Sequence, residues 1–210
     1  MNSGSTTILF VRHGTTATTG SILPGRAPGL HLSSRGIEQA ESLAERLSEL
    51  APKPTAIYVS PLERARETAA PLAAALNLKP VVDKGLTECD FGTWTGKRLA
   101  TLAKRPEWAN VRHSPSTFRF PGGESFSEMQ SRIWDAVSAI AARHKRHTVI
   151  VVSHADPIKS AITYALGVPI DLFQRTVISP CSLSAVTFSG GTPIVLCVNN
   201  TGSLTELRPS

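Results

Sequence analysis

The stretch Ile8-Leu-Phe-Val-Arg-His-Gly14 decides how this chain is interpreted. Its first four residues form a continuous apolar run, which is typical of a strand buried on both faces of a parallel sheet. Arg12 and His13 follow where the strand ends, and Gly14 lets other groups approach the backbone closely. Ligands bind outside the carboxyl ends of the strands in an open parallel sheet. The stretch therefore predicts a central strand and one wall of a binding site.

Five further segments have the composition of strands, and helical patterns alternate with them along the chain. The alternation predicts an α/β fold, a three-layer α/β/α sandwich with a mostly parallel central sheet. At 210 residues, we expect a single domain over residues 1–210, with a loop-rich insertion near residues 104–123. The predicted strands are residues 56–60, 80–82, 148–153, 183–188 and 194–198, in addition to 8–11.

Helices are predicted where apolar residues recur every three or four positions, as in residues 37–47 and 126–140. A third helix over residues 155–166 should stop at Gly167. In the helix after the second strand, Pro71 predicts a kink or an early end. Serines that can cap helix N-termini stand before three of the helices: Ser33 or Ser34, Ser60 and Ser125.

The net charge is +6 and the isoelectric point is about 9.6, which suits an anionic small substrate as well as a nucleic acid. The densest basic stretch, residues 143–147, follows a helical pattern, where cations favour the helix C-terminus. It has no interleaved aromatic side chains for stacking on RNA bases. We therefore expect a small phosphorylated substrate and no nucleic-acid partner, and make no prediction of oligomeric state.

The cysteines and the N-terminal segment point to a reducing compartment. Cys89, Cys181 and Cys197 are odd in number, widely spaced and without a C-x-x-C pair, which argues against disulfides and a zinc site. The apolar run at residues 8–11 is too short for a signal sequence or a membrane span. We expect a cytoplasmic protein that is not bound to membranes.

Basic side chains stand at three predicted strand ends. Arg12 and His13 follow the first strand, Arg64 lies in the helix after the second, and His154 follows the fourth. Guanidinium groups bind phosphate oxygens in a forked geometry, and the helix beginning at Ala155 offers free N–H groups. Nearby cations lower the pKa of an imidazole and keep it unprotonated. We expect a phosphate-handling enzyme in which one histidine attacks and the other binds.

Other phosphate chemistries do not fit the spacing. None of the three cysteines has an arginine six residues later, there is no D-x-D nucleophile, and residues 92–97 fall one residue short of a P-loop. Arginines beside His13 and His154 would repel a metal ion. We therefore expect neither a metal nor a cofactor.

Five segments of the chain carry a recognisable pattern. They are residues 8–14 with R-H-G, 32–40 with L-S-S-R-G-I-E-Q-A, 60–68 with S-P-L-E-R-A-R-E-T, 86–96 with L-T-E-C-D-F-G-T-W-T-G, and 152–155 with V-S-H-A. Together these segments resemble the histidine phosphatase superfamily, also called the phosphoglycerate mutase-like family. The resemblance implies a phosphoglycerate mutase-like fold.

The resemblance also implies roles. His13 becomes the nucleophile that is transiently phosphorylated, and Glu88 the proton donor to the leaving oxygen. Arg12, Arg64 and His154 become the phosphate pocket. The proton donor must hold its proton near neutral pH, which burial or a bound phosphate dianion favours.

Residues around this set are expected to bind substrate. Many relatives have Glu or Ser and then Asn after the nucleophile, whereas this chain has a threonine-rich run, so Thr15 or Thr16 is expected to donate a hydroxyl. Ala155 contributes the helix N-terminus, and Arg26 is a further candidate. Specificity is expected from the 104–123 segment through Trp108, Arg112, His113, Phe118 and Arg119.

Hydrolysis and phosphomutase action are both compatible with the family. Phosphoglycerate mutases follow the catalytic Glu with R-H-Y-G, whereas residues 89–92 read C-D-F-G, which removes two potential cations. Residues 120–125 resemble the phosphatase branch that includes alpha-ribazole phosphatase, although similar bacterial sequences are labelled probable phosphomutases. We expect metal-independent phosphomonoester hydrolysis. The alternatives are a phosphoglycerate mutase-type phosphomutase and a non-catalytic phosphoprotein-binding module, against which the presence of His13 and Glu88 argues.

Overall fold

The computed structural model describes residues 4–190 and 192–202. Within them the chain builds a sheet of six strands in the order β3-β2-β4-β1-β5-β6. The first four strands of this order pair in parallel, and β5 and β6 add antiparallel pairs at one side. All six predicted strands are confirmed: β1 Thr6–Arg12, β2 Ala56–Val59, β3 Val81–Val82, β4 Thr148–Ser153, β5 Leu183–Ser189 and β6 Thr192–Asn200.

The helices of the described residues begin largely where capping residues predict. Ser33 accepts from the Gly36 N–H in front of α1, and Ser125 forms a capping box with Glu128 in front of α5. In that part of the chain the α-helices are α1 Ser34–Ser48, α2 Glu63–Leu76, α3 Leu99–Leu102, α4 Trp108–His113, α5 Phe126–Arg143 and α6 Ala155–Ala165.

The helix after β2 corrects two predictions. It begins at Glu63 and not at Ser60, because the Ser60 hydroxyl is engaged in the site described below. It also continues past Pro71 to Leu76, so the early end is wrong. The residues after the proline stay helical because Leu72 is fully buried against the sheet, and this packing outweighs the one backbone hydrogen bond that proline removes.

Strand β1 is buried on both faces, and this creates the three layers. Leu9 and Val11 face a core shared with α1 and α2, whereas Ile8 and Phe10 face a core shared with α5 and α6. All four side chains are at most 2% exposed. The three-layer α/β/α sandwich is therefore confirmed. No helix in the described ranges is long and apolar enough to cross a membrane.

The 104–123 segment is more ordered than a loop. It contains α4 and a short 3₁₀ helix at Pro115–Thr117, and its aromatic side chains join a third core. The ring centroid of Phe118 lies 5.5 Å from Trp94 and 4.9 Å from Phe120. Phe118 is therefore buried in this aromatic cluster instead of being presented to a ligand, because its ring removes apolar area from water there.

Two residues of α1 give a matched stability test. Leu47 is fully buried, whereas Ile37, which belongs to the same helical pattern, is half exposed. We expect Leu47→Ala to lower the free energy of unfolding by about 2–5 kcal/mol, because it leaves a cavity in the core. Ile37→Ala should change it by only about 0.5 kcal/mol. Urea unfolding followed by circular dichroism checks both, and equal losses would contradict the assigned burial.

Candidate active site

The carboxyl ends of three neighbouring strands meet at one edge of the sheet. Because β2, β4 and β1 are adjacent and parallel, the residues that follow them lie side by side. His13 follows β1, Ser60 follows β2 and His154 follows β4. The ring centroids of the two histidines are 5.1 Å apart. The structure thus brings together residues separated by about 140 positions in the chain.

Hydrogen bonds define which nitrogen of His13 is available to a substrate. Nδ1 lies 2.8 Å from the carbonyl oxygen of Gly14, which can only accept, so Nδ1 carries the proton. Nε2 is then the unprotonated nitrogen, and its lone pair accepts a hydrogen bond from Nε of Arg64 at 3.3 Å. Burial, followed by the charge of Arg64, lowers the pKa of His13 to about 3. The imidazole is therefore neutral and nucleophilic at physiological pH.

Gly14 places this histidine against α1. A Cβ at position 14 would lie 2.6 Å from the carbonyl oxygen of Gly36, closer than a real side chain approaches. The Gly14 N–H donates to the Thr68 hydroxyl at 3.0 Å, and that hydroxyl donates to the Arg64 carbonyl at 2.7 Å. The glycine is therefore needed where the loop after β1 contacts both α1 and α2.

Several buried nitrogens suit the binding of an anion in the crevice formed by Arg12, His13, Arg64 and His154. In the described part of the chain, Nε of Arg12, Nη1 of Arg64 and Nδ1 of His154 are buried without a hydrogen-bond partner. Nε2 of His154 lies 2.7 Å from the Ser60 hydroxyl, and in the tautomer in which this hydroxyl donates, Nδ1 carries the proton and can donate. Buried donors are otherwise almost always satisfied, so the two arginine nitrogens, joined by Nδ1 in that tautomer, indicate a site for an acceptor such as phosphate.

The remaining contacts of the two arginines hold them in place. Arg12 donates through Nη1 to the Ile178 carbonyl at 2.6 Å, and Arg64 donates through Nη2 to the Gly25 carbonyl at 2.8 Å. Burial lowers the pKa of both guanidinium groups, although they stay charged. Burial, reinforced by Arg64, also holds the pKa of His154 well below its usual value. The crevice thus has two fixed positive charges and two neutral imidazoles.

Glu88 is a buried carboxyl group whose charge acts on both Arg12 and Arg64. It is 7% exposed, and its Oε1 accepts from the Cys89 N–H at 2.9 Å. Burial, followed by the charge of Asp156, raises its pKa to about 7, against the opposing charge of Arg64. A carboxyl group that is about half protonated at neutral pH can both give and take a proton.

The predicted substrate-binding residues differ in whether their polar groups already have hydrogen-bond partners in the protein. The Thr16 hydroxyl is within 3.2 Å of the hydroxyls of Thr18 and Thr19, and the Thr15 N–H donates to Gln39 at 2.9 Å. Ala155 is the first residue of α6, whose first-turn N–H groups have no acceptor inside the helix.

Two other predicted contacts are engaged with protein groups. Arg26 lies against the Glu88 carbonyl and the Glu124 carboxylate, and Arg119 forms an ion pair with Glu128. The structure also places Ser60 in the site, where its hydroxyl contacts His154. Nothing in the sequence indicates this contact, because Ser60 and Pro61 resemble the start of a helix.

Within residues 4–190 and 192–202, no three His, Cys, Asp or Glu side chains come together as a metal site.

Comparisons with known proteins find relatives over most of the chain. The chain is 36% identical over 204 residues to the bifunctional protein Rv2228c of Mycobacterium tuberculosis. The aligned region covers 95% of this chain but only 55% of that relative's length. It is 33% identical over 187 residues to phosphoserine phosphatase 1 of Hydrogenobacter thermophilus, covering 87% and 88% of the two chains. The solved structure of Bacillus stearothermophilus YhfR superposes with a TM-score of 0.86 at 27% identity, covering 94% and 98%.

The family model described as the histidine phosphatase superfamily, branch 1, matches residues 8–201. This match begins at the first strand and includes every residue of the crevice. The chain therefore belongs to the histidine phosphatase superfamily.

Proposed function

We propose that the protein is a metal-independent phosphomonoester hydrolase that acts through a phosphohistidine at Nε2 of His13. The observation that carries the proposal is the neutral His13 ring beside guanidinium nitrogens of Arg12 and Arg64 that have no partner among the described residues, with Glu88 buried in the same electrostatic environment. A nucleophile, an anion pocket and an acid–base group are the parts that phosphoryl transfer requires. The phosphatase name of the Hydrogenobacter relative supports the same reaction class.

The reaction has two displacements. In the first, Nε2 of His13 attacks phosphorus, the bond from phosphorus to the ester oxygen breaks, and Glu88 protonates the departing oxygen. In the second, Glu88 takes a proton from water as that water attacks phosphorus, the phosphorus–nitrogen bond breaks, and inorganic phosphate leaves. Donors from Arg12, Arg64 and His154 stabilise charge on the equatorial oxygens in both steps.

The substrate we propose is a small phosphorylated metabolite. Phosphoserine is the first compound to test, because a relative covering most of the chain is named for it. Unlike a phosphoglycerate, phosphoserine has an ammonium group that offsets the charge of its own carboxylate. Residues after Glu88 favour hydrolysis over mutase action: Cys89 is fully buried, and the Asp90 carboxylate lies 3.7 Å from Arg26. Neither position offers a cation to the second anionic group of a phosphoglycerate.

His13→Ala should lower turnover of phenyl phosphate by about a thousandfold or more, because no other group can form the phosphohistidine. Steady-state phosphate release measures the loss, and circular dichroism shows whether the fold is kept. The matched control is His31→Ala, which removes an exposed histidine that pairs with Glu67. Turnover by the folded His13→Ala variant at the wild-type rate would contradict the proposed mechanism.

The kcat/KM for phenyl phosphate should fall as pH rises above about 7, because Glu88 then loses the proton that the leaving oxygen needs. Ionised Asp156 disfavours ionised Glu88, so Asp156→Asn should lower the pKa of Glu88 and move this decline to lower pH. Asp171→Asn, which changes a carboxylate bonded to Ser116, should leave the decline in place. A decline that does not move in Asp156→Asn contradicts the assignment.

Phosphorus NMR separates hydrolysis from phosphomutase action. With 3-phosphoglycerate and a trace of the 2,3-bisphosphate, we expect no rapid formation of the 2-isomer, because Cys89 and Asp90 supply no cation for the carboxylate. Release of inorganic phosphate from phosphoserine and phenyl phosphate is followed in parallel. Rapid interconversion of the two phosphoglycerates would contradict the proposed hydrolysis and support the phosphomutase alternative.

A further inference from the structure

The segment that carries Glu88 lacks regular secondary structure after the 3₁₀ turn Lys84–Leu86, yet side chains hold its carbonyl groups. Nη1 of Arg132 donates to the carbonyls of Gly85 and Thr87 at 2.9 and 2.8 Å, and its Nη2 reaches the Glu88 carbonyl at 3.3 Å. One guanidinium on α5 thus replaces the partners that a strand or helix would have supplied to this backbone.

A second arginine reaches the same carbonyl from another part of the chain. Nε of Arg26 donates to the Glu88 carbonyl at 2.8 Å. Glu124 then links the two arginines: its Oε2 accepts from Arg26 at 2.8 Å, and its two oxygens accept from Nε and Nη2 of Arg132 at 2.8 and 2.9 Å. Oε2 also accepts from the Asp90 N–H at 3.0 Å. These three side chains, Arg26, Glu124 and Arg132, form the Glu88 clamp.

The clamp is partly withdrawn from water, and its contacts are directional. The side chains of Glu124 and Arg132 are 17% and 22% exposed, and the carboxylate and guanidinium meet through two parallel hydrogen bonds. Although burial opposes ionisation of Glu124, the hydrogen bonds from Arg132 and the Asp90 N–H keep its pKa below the ordinary value. A charged carboxylate is therefore available to hold both arginines at neutral pH.

We propose that Arg26, Glu124 and Arg132 are positioning residues that fix the backbone of Glu88, so that its carboxyl group stays aligned with the leaving oxygen. The proposal rests on the proposed hydrolase function. It replaces the predicted substrate contact of Arg26, whose guanidinium is directed at the Glu88 carbonyl and the Glu124 carboxylate. None of the three residues touches the phosphate in this assignment; they act through Glu88.

The test compares two esters whose leaving groups differ in their need for a proton. Dinitrophenolate leaves unprotonated, whereas phenolate benefits from a general acid, and kcat/KM reports the steps up to formation of the phosphohistidine. For Arg132→Gln, we expect kcat/KM with phenyl phosphate to fall about tenfold more than with 2,4-dinitrophenyl phosphate. Glu88→Gln measured in parallel should show the same selectivity with a larger amplitude.

Two milder variants keep the test decisive if Arg132→Gln does not fold. Arg132→Lys keeps the charge but loses the fork, and Glu124→Gln weakens the link between the arginines, so both should show the selective loss at smaller amplitude. Arg143→Gln is the matched control, since Arg143 lies on the same helix and donates to the Tyr58 hydroxyl away from Glu88. It should leave both rates unchanged.

The outcomes are distinguishable. Equal losses with both esters, or no loss, in the folded clamp variants would overturn the positioning role while leaving the hydrolase function intact. Failure of the unmodified protein to hydrolyse either ester would instead overturn the proposed function. A selective loss with phenyl phosphate in Arg132→Lys and Glu124→Gln, absent in Arg143→Gln, supports the clamp.

Discussion

The buried guanidinium of Arg64 is the interaction on which the site depends. Its side chain is fully withdrawn from water, and it contacts Nε2 of His13 and the Gly25 carbonyl while Nη1 is left unpartnered. Burying a charge is unfavourable unless it is paired and hydrogen-bonded. The nearby charge of Glu88 favours the guanidinium only in part. A phosphate would complete its coordination, so burial of this charge favours the binding of an anion beside it.

The same low-dielectric environment separates the roles of the titratable groups. Burial disfavours every charged form, so it lowers the pKa of His13 and His154 and raises that of Glu88. The fixed charge of Arg64 adds to the first effect and opposes the second. One environment therefore produces a neutral imidazole at His13 and a carboxyl group at Glu88 that exchanges its proton near pH 7, which is the combination that the proposed two-step phosphoryl transfer requires.

The proposed nucleophile, His13, and the proposed acid, Glu88, are held in position by different means. His13 follows a strand buried on both faces, so the sheet itself fixes its backbone. Glu88 lies on an irregular segment, where side chains from α5 and from residues far along the chain take over the role of a hydrogen-bonded ladder. An irregular segment has no ladder of backbone hydrogen bonds, so its carbonyl groups need side-chain partners such as Arg132.

The sequence by itself determined what depends on local pattern. The apolar run of β1, the caps at Ser33 and Ser125 and the six strands were all readable, because burial periodicity and capping act over a few neighbouring residues. The basic residues at the strand ends were readable too, because parallel strands place their carboxyl ends together.

The tertiary structure alone decided which distant groups meet. Helix α2 continues past Pro71, and Phe118 is buried among aromatic rings. Arg26 donates to the backbone carbonyl of Glu88, which lies 62 positions away in the chain. Arg132 had no signal in the sequence, since it looks like an ordinary cation on an amphipathic helix. Such partners follow from packing between elements remote in the chain, where the free energy of burial overrides local propensity and selects the hydrogen bonds that remain possible.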